Sequence, residues 1–153
     1  MDLKDSQDAA AFLKLLQEPF EGTIDLEGQE PIKVWIHPLT PREELHVAQC
    51  WGEAYKWLKD QGGEEESTVR TCNMQQADMI VYYSLHAGKA TTSTKVFSSI
   101  RELMAYKAET RISLYGQYVG RFLPSEEDLG NSLRARIEGS QTTSNSPAPS
   151  PVN

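Results

Sequence analysis

The tetrapeptide Thr40-Pro41-Arg42-Glu43 constrains this chain more than any other stretch. A threonine hydroxyl can accept a hydrogen bond from the amide three residues on, and a glutamate there can return the bond to the threonine amide. Proline between them suits the first helical position, where its missing N–H is not needed. A helix is therefore predicted from Thr40 to about Asp60, stopped by Gly62-Gly63. At 100° per residue, Val47, Ala48, Trp51, Ala54, Tyr55 and Leu58 fall on one side, and Trp57 lies outside that stripe.

The residues leading into this helix alternate instead. Ile24 and Leu26 precede a turn-like EGQE stretch around Gly28, and Ile32, Val34 and Ile36 follow it, so residues 22–37 read as a β-hairpin. The alternation sends Lys33, Trp35 and His37 to the opposite face. A hairpin is marginal alone, so its apolar side must cover a helix. Ahead of it, a helix is predicted from about Ser6 to Glu18, with Phe12, Leu13, Leu15 and Leu16 apolar and Pro19 ending it.

Beyond a polar GGEEES linker, a helix is expected from Thr68 to Ala87, capped at Gly88. Val69, Cys72, Met79, Ile80 and Tyr83 share one face, and Met74, Ala77, Val81 and Leu85 a second, which suits a central position in a bundle. GKATTSTK is a loop. Ser99-Ile100-Arg101-Glu102 repeats the capping-box pattern and opens a helix to about Phe122, whose apolar face carries Ile100, Met104, Ala108, Ile112, Tyr115, Tyr118, Val119 and Phe122. Lys107 and Arg111 flank that face and are expected to extend to solvent. Pro124-Ser125 breaks the chain, a short helix through Glu138 follows, and residues 139–153 have the composition of a disordered tail. The expected fold is mainly α with a small N-terminal hairpin (α+β): a bundle of about four helices in one domain, residues 1–138, with the hairpin packed on it.

Charge and composition exclude several functions. Hydrophobic residues make up 39% of the chain and charged ones 24%, proportions of a globular protein. The net charge of -7 opposes a phosphate-tracking surface, since nucleic-acid affinity rests on Lys and Arg. Residues 1–66 carry 6 basic and 15 acidic side chains, whereas residues 67–123 carry 7 and 3. The halves either complement each other within one fold or orient copies and partners. No apolar run is long enough to span a bilayer, and MDLKDSQDAA has no basic and apolar signal pattern. Two cysteines are too few for a disulfide framework, which suits a reducing cytoplasm.

The search for catalytic chemistry returns little. There is no GxSxG, HExxH, phosphate loop or dinucleotide fingerprint. His46 and Cys50 form an i,i+4 pair, but zinc needs a further ligand, and Cys72 and His86 lie too far apart on one helix to share an ion. Glu64–Glu66 lacks the spacing of a calcium loop. Tyr55-Lys56-Trp57-Leu58-Lys59 mixes bases with aromatics but sits in the acidic half. The reading is therefore non-catalytic, without cofactor, metal, nucleic acid or membrane. Exposed aromatics suit protein partners better: Trp35 and Trp57 lead the candidate partner-binding residues, with Tyr82, Tyr115, Tyr118 and Phe122.

Two stretches carry a family resemblance. PIKVWIHPLTPREEL resembles the strand pair, "R/H-P-L-T" step and capped helix of the tail assembly chaperones of long-tailed bacteriophages. VFSSIRELMAYKAETRISLYGQYVGRFLPSEEDL is similar to that family's "F-S-S-x-E-E-L" step and its Leu- and Tyr-rich helix ending near a proline, with Arg101 where an acidic residue is commoner. The resemblance covers about residues 7–130. It implies a protein that binds the tape measure protein, helps recruit tail tube subunits, self-associates along its client, works in the host cytoplasm and is absent from the finished particle. A structural tail or connector component, or an unrelated small protein-binding domain, are the alternatives.

Overall fold

A computed structural model describes residues 17–123 together with Ala10, Ala11 and Lys14. The chain divides into two units, Met1–Phe122 and Leu123–Asn153, and the fold below is that of the first. Ala10, Ala11 and Lys14 are helical; the rest of the expected first helix up to Leu16, the short helix after Pro124 and the tail lie outside the described residues.

Strand β1 (Phe20–Ile24) pairs antiparallel with β2 (Ile32–Ile36), Phe20 opposite Ile36 and Ile24 opposite Ile32. The turn between them needs a left-handed residue, and Gly28 supplies it at φ +76°. As the alternation requires, Ile24, Val34 and Ile36 are buried, while Ile32 at the strand end is exposed. Gly22 leaves room for two side chains: a Cβ there would lie 2.5 Å from Ile36 Cδ1 and 2.8 Å from Gln117 Oε1, so either would have to shift.

Helix α1 (Pro41–Asp60) starts with both capping-box bonds in place. Thr40 Oγ1 accepts from the Glu43 amide at 3.2 Å, and Glu43 Oε1 accepts from the Thr40 amide at 3.1 Å. Gly62, at φ +84°, turns the chain into α2 (Glu65–Ser84). This helix begins ahead of the expected Thr68, because Glu65 and Glu66 favour the positive end of the helix dipole. The pairs Trp51–Asn73, Tyr55–Glu65 and His46–Tyr83 show that α1 and α2 run antiparallel along each other.

Two sequence expectations are corrected here. The helix expected to reach Ala87 stops at Ser84, and Leu85–His86 form a third strand, β3, antiparallel to β2 with Ile36 opposite Leu85 and Trp35 opposite His86. On the other side the Leu85 carbonyl accepts from the Val96 amide at 3.0 Å, and Ala87 donates to Thr94 at 2.8 Å. Helix continuation would forfeit these long-range bonds, which no local periodicity records. Gly88 is accordingly part of the loop after β3.

The helix expected from Ser99 to Phe122 is two helices, α3 (Ile100–Met104) and α4 (Ala108–Phe122). Leu103 is fully buried, and Tyr106 packs edge-on against buried Phe97 with 5.4 Å between ring centroids. The break at Ala105–Lys107 follows from this docking; no proline or glycine marks it. The second capping box is half formed. Ser99 Oγ accepts from the Glu102 amide, but the Glu102 carboxylate accepts from the Ser98 amide and hydroxyl.

The whole is mainly α with a three-stranded antiparallel sheet at its N-terminal side, β2 in the middle. Ile24, Val34 and Ile36 from the sheet meet Ile80 and Val81 of α2 and Leu114 and Tyr118 of α4 in one apolar core. Gln117 of α4 closes the outer edge of β1: its Oε1 accepts from the Thr23 amide at 3.0 Å and its Nε2 donates to the Thr23 carbonyl at 2.9 Å. The side-chain amide thus takes the place of a neighbouring strand.

Candidate protein-binding surface

Helices α2 and α4 lie side by side but do not close over each other. The apolar stripe expected over Ile100–Phe122 is not the face that packs inward. Of its residues the core takes Tyr118 and leaves Ile100, Met104 and Ile112 outside, Ile112 at 66% exposure, while Leu103 and Leu114, which lie off that stripe, are buried instead. Across from Ile112, Met74 of α2 is 56% exposed. Met74 and Ile112, with Ala77 and half-buried Tyr115, line a shallow groove, shared by two adjoining depressions. One end continues past Val69 and Asn73, the other past Ala108 and Arg111. Alanine at 77 and 108 keeps the floor low, so that methionine and isoleucine walls stand above it.

A largely buried ion pair fixes the width of this groove. Arg111 Nη1 donates to Asp78 Oδ2 and also touches Met104 Sδ at 3.1 Å. Both partners are mostly buried, so Arg111 does not extend to solvent as expected. Lys107 does remain exposed, pairing with Glu27 at 2.8 Å. Farther along α2, Arg70 pairs with Glu66 on the surface. The lining is therefore self-neutralised and offers an apolar floor more than a charged one. Such a surface fits the apolar face of an amphipathic helix, which methionine side chains accommodate by changing rotamer.

The six candidate partner-binding residues are dispersed. Tyr115 lies in the groove. Trp57, 62% exposed, stands in a second furrow between α1 and α2, beside Cys50, Ala54 and Leu58. Trp35 is half-buried beneath the Lys89 ammonium, 5.8 Å from its ring centroid. Tyr82 is half-buried against Tyr83, with Lys95 above both rings. Tyr118 is buried in the core at 5% exposure, and half-buried Phe122 packs at an angle on Phe20 and Tyr118. Burial raises the Tyr118 hydroxyl above its ordinary pKa, although the Leu39 backbone bonds to it and pulls the other way.

Reading single helix faces assigned Met74, Met104 and Ile112 to packing surfaces. The signal that could have singled them out is their number: α2 and α4 together carry more apolar faces than a molecule of this size can bury.

The His46–Cys50 pair is in contact, Cys50 Sγ lying 3.5 Å from His46 Nε2, while His46 Nδ1 is 2.5 Å from the Tyr83 hydroxyl. Cys72 is buried elsewhere, and His86 faces His37. Among the described residues no group of three His, Cys, Asp or Glu side chains could hold a metal ion. None of the helices described is long and apolar enough to cross a membrane. Comparison with protein-family models, curated proteins and solved structures returned no match.

Proposed function

We propose that this protein is a non-catalytic tail assembly chaperone of a long-tailed bacteriophage, which binds the tape measure protein and helps recruit tail tube subunits around it. The observation that carries this reading is the apolar groove between α2 and α4, open along two helices and neutral along its rim. It matches what a long helical client needs covered before assembly: an apolar stripe that would otherwise aggregate. The two stretches of family resemblance, Pro31–Leu45 and Val96–Leu129, are the reason for naming the tape measure protein as that client. Work in the host cytoplasm and absence from the finished particle belong to the same proposal.

Co-expression with the tape measure protein of the same genome tests it. Soluble client that co-purifies with several copies of this chain is the expected result. Insoluble client, with this chain eluting alone, overturns the chaperone reading; recovery of the chain in purified particles makes it a tail component.

A further inference from the structure

Two imidazoles lie stacked inside the protein, away from the groove. His37, just past β2, is 4% exposed, and His86, in β3, is 9% exposed; their ring centroids are 4.0 Å apart at 33°. Each ring holds the loop that follows β3. His37 Nε2 is 2.8 Å from the Gly88 carbonyl, and His86 Nδ1 is 3.2 Å from the Ser93 carbonyl. The Gly88 carbonyl only accepts, so the His37 ring donates to it. At His86 Nδ1 the Ser93 hydroxyl lies 3.3 Å away beside the Ser93 carbonyl, so Ser93 holds that ring with both groups.

The loop is also held at its ends and by Ser93 within it, whose amide donates to the Ala90 carbonyl at 2.9 Å. Ala87 donates to Thr94 at 2.8 Å and Val96 to Leu85 at 3.0 Å, while Ser93 Oγ lies 2.8 Å from the Gly88 carbonyl. Its two lysines rest on aromatic faces, Lys89 over Trp35 and Lys95 over Tyr83 and Tyr82.

A second proton on His86 would place a cation in a site largely closed to water. The surrounding groups oppose it. The other imidazole is 4.0 Å away, and the Lys95 ammonium approaches from the loop, with Lys89 on the same loop. From α2, the Tyr83 backbone carbonyl bonds to the His86 ring. From α1, the Glu43 carboxylate pairs with Lys95 at 2.8 Å. Burial first, then His37 and Lys95, hold the His86 imidazole below its ordinary pKa, outweighing the Ser93 and Tyr83 carbonyls.

We propose that His86, stacked on His37, is a proton-operated latch: with His86 neutral, the two rings fasten the loop 87–95 across Trp35 and Tyr82, and proton uptake by His86 releases the loop and uncovers those rings. The direction follows from linkage. An imidazole harder to protonate when the loop is closed than when it is open stabilises the closed form fully above about pH 6.5, and that stability is lost as the pH falls below it.

Amide hydrogen exchange on the full chain, read residue by residue at pH 7.5, 6.5 and 5.5 and corrected for intrinsic rates, tests this. Protection at Ala87 and Val96 should fall below pH 6.5 by roughly tenfold per pH unit as His86 takes up one proton on opening. Val47 in α1 should hold its protection. His86→Gln and His37→Gln should each flatten the loop response. Should either variant fail to fold, the wild-type protein decides alone, from the titration of its imidazole C2 protons in the same samples. A His86 midpoint at or above 6.5, or loop protection that tracks Val47 at every pH, overturns the latch.

Discussion

Arg111 shows how one residue takes its role from its surroundings. A cation flanking an apolar stripe ordinarily reaches for water along its aliphatic stem. Here Asp78 stands opposite on α2, and the two meet with most of their surface buried. Burying both charges is costly, and their attraction roughly repays it, so the pair positions the helices more than it stabilises them. Removing one partner is different, because the other is left charged in a dry place. Arg111→Met alone should therefore lower stability by about 2–4 kcal/mol in urea unfolding, and so should Asp78→Leu alone. The double variant should recover most of that loss. A double variant as unstable as the sum of the singles would mean that the two side chains act independently.

At the scale of elements, the edge of β1 is the instructive case. An exposed edge strand offers unpaired amides and carbonyls to any other strand. Gln117 of α4 occupies the Thr23 amide and carbonyl together, and the absence of a side chain at Gly22 lets it approach. Helix α4 is thereby fastened to the hairpin by two hydrogen bonds across 94 positions of sequence. Gln117→Ala should cost about 1–3 kcal/mol, since it leaves half-buried backbone groups unpaired. It should also raise the tendency to associate through β1. Thermal melts and light scattering over a concentration series check both effects. Unchanged melting and no association would make the Gln117 contact incidental.

At the scale of the whole molecule, the surfaces that form the core and the surface proposed to bind a partner are different. The core unites the sheet with the inner faces of α2 and α4, whereas Met74, Ile112 and Met104 face outward. Ile112→Glu should leave the melting temperature nearly unchanged, within about 0.5 kcal/mol of stability, because its side chain already meets water. The same change should abolish co-purification of the tape measure protein by placing a charge on the apolar floor. Trp57→Ala tests the second furrow in the same assay and separates it from the groove. A destabilised Ile112→Glu would show that this face is covered in solution.

Much of this architecture is written locally. The capping box at Thr40, the glycine stop at 62, the alternation of the hairpin and the turn at Gly28 each depend on a few neighbouring residues, and the backbone obeys them. So does the exposure of Trp57, which lies off the stripe of its helix. What only the tertiary structure decided is where apolar surplus goes. Leu85 and His86 leave the helical pattern because β2 and Lys95–Val96 offer backbone partners on both sides. The last helix breaks at Ala105 because Leu103 and Tyr106 dock inward, and its wide stripe is then divided between core and groove. Tyr118 and Ile112 read alike in sequence, yet one is buried and the other open. Periodicity tells which residues can be buried together; the area a neighbouring element covers, a long-range property, decides which of them are.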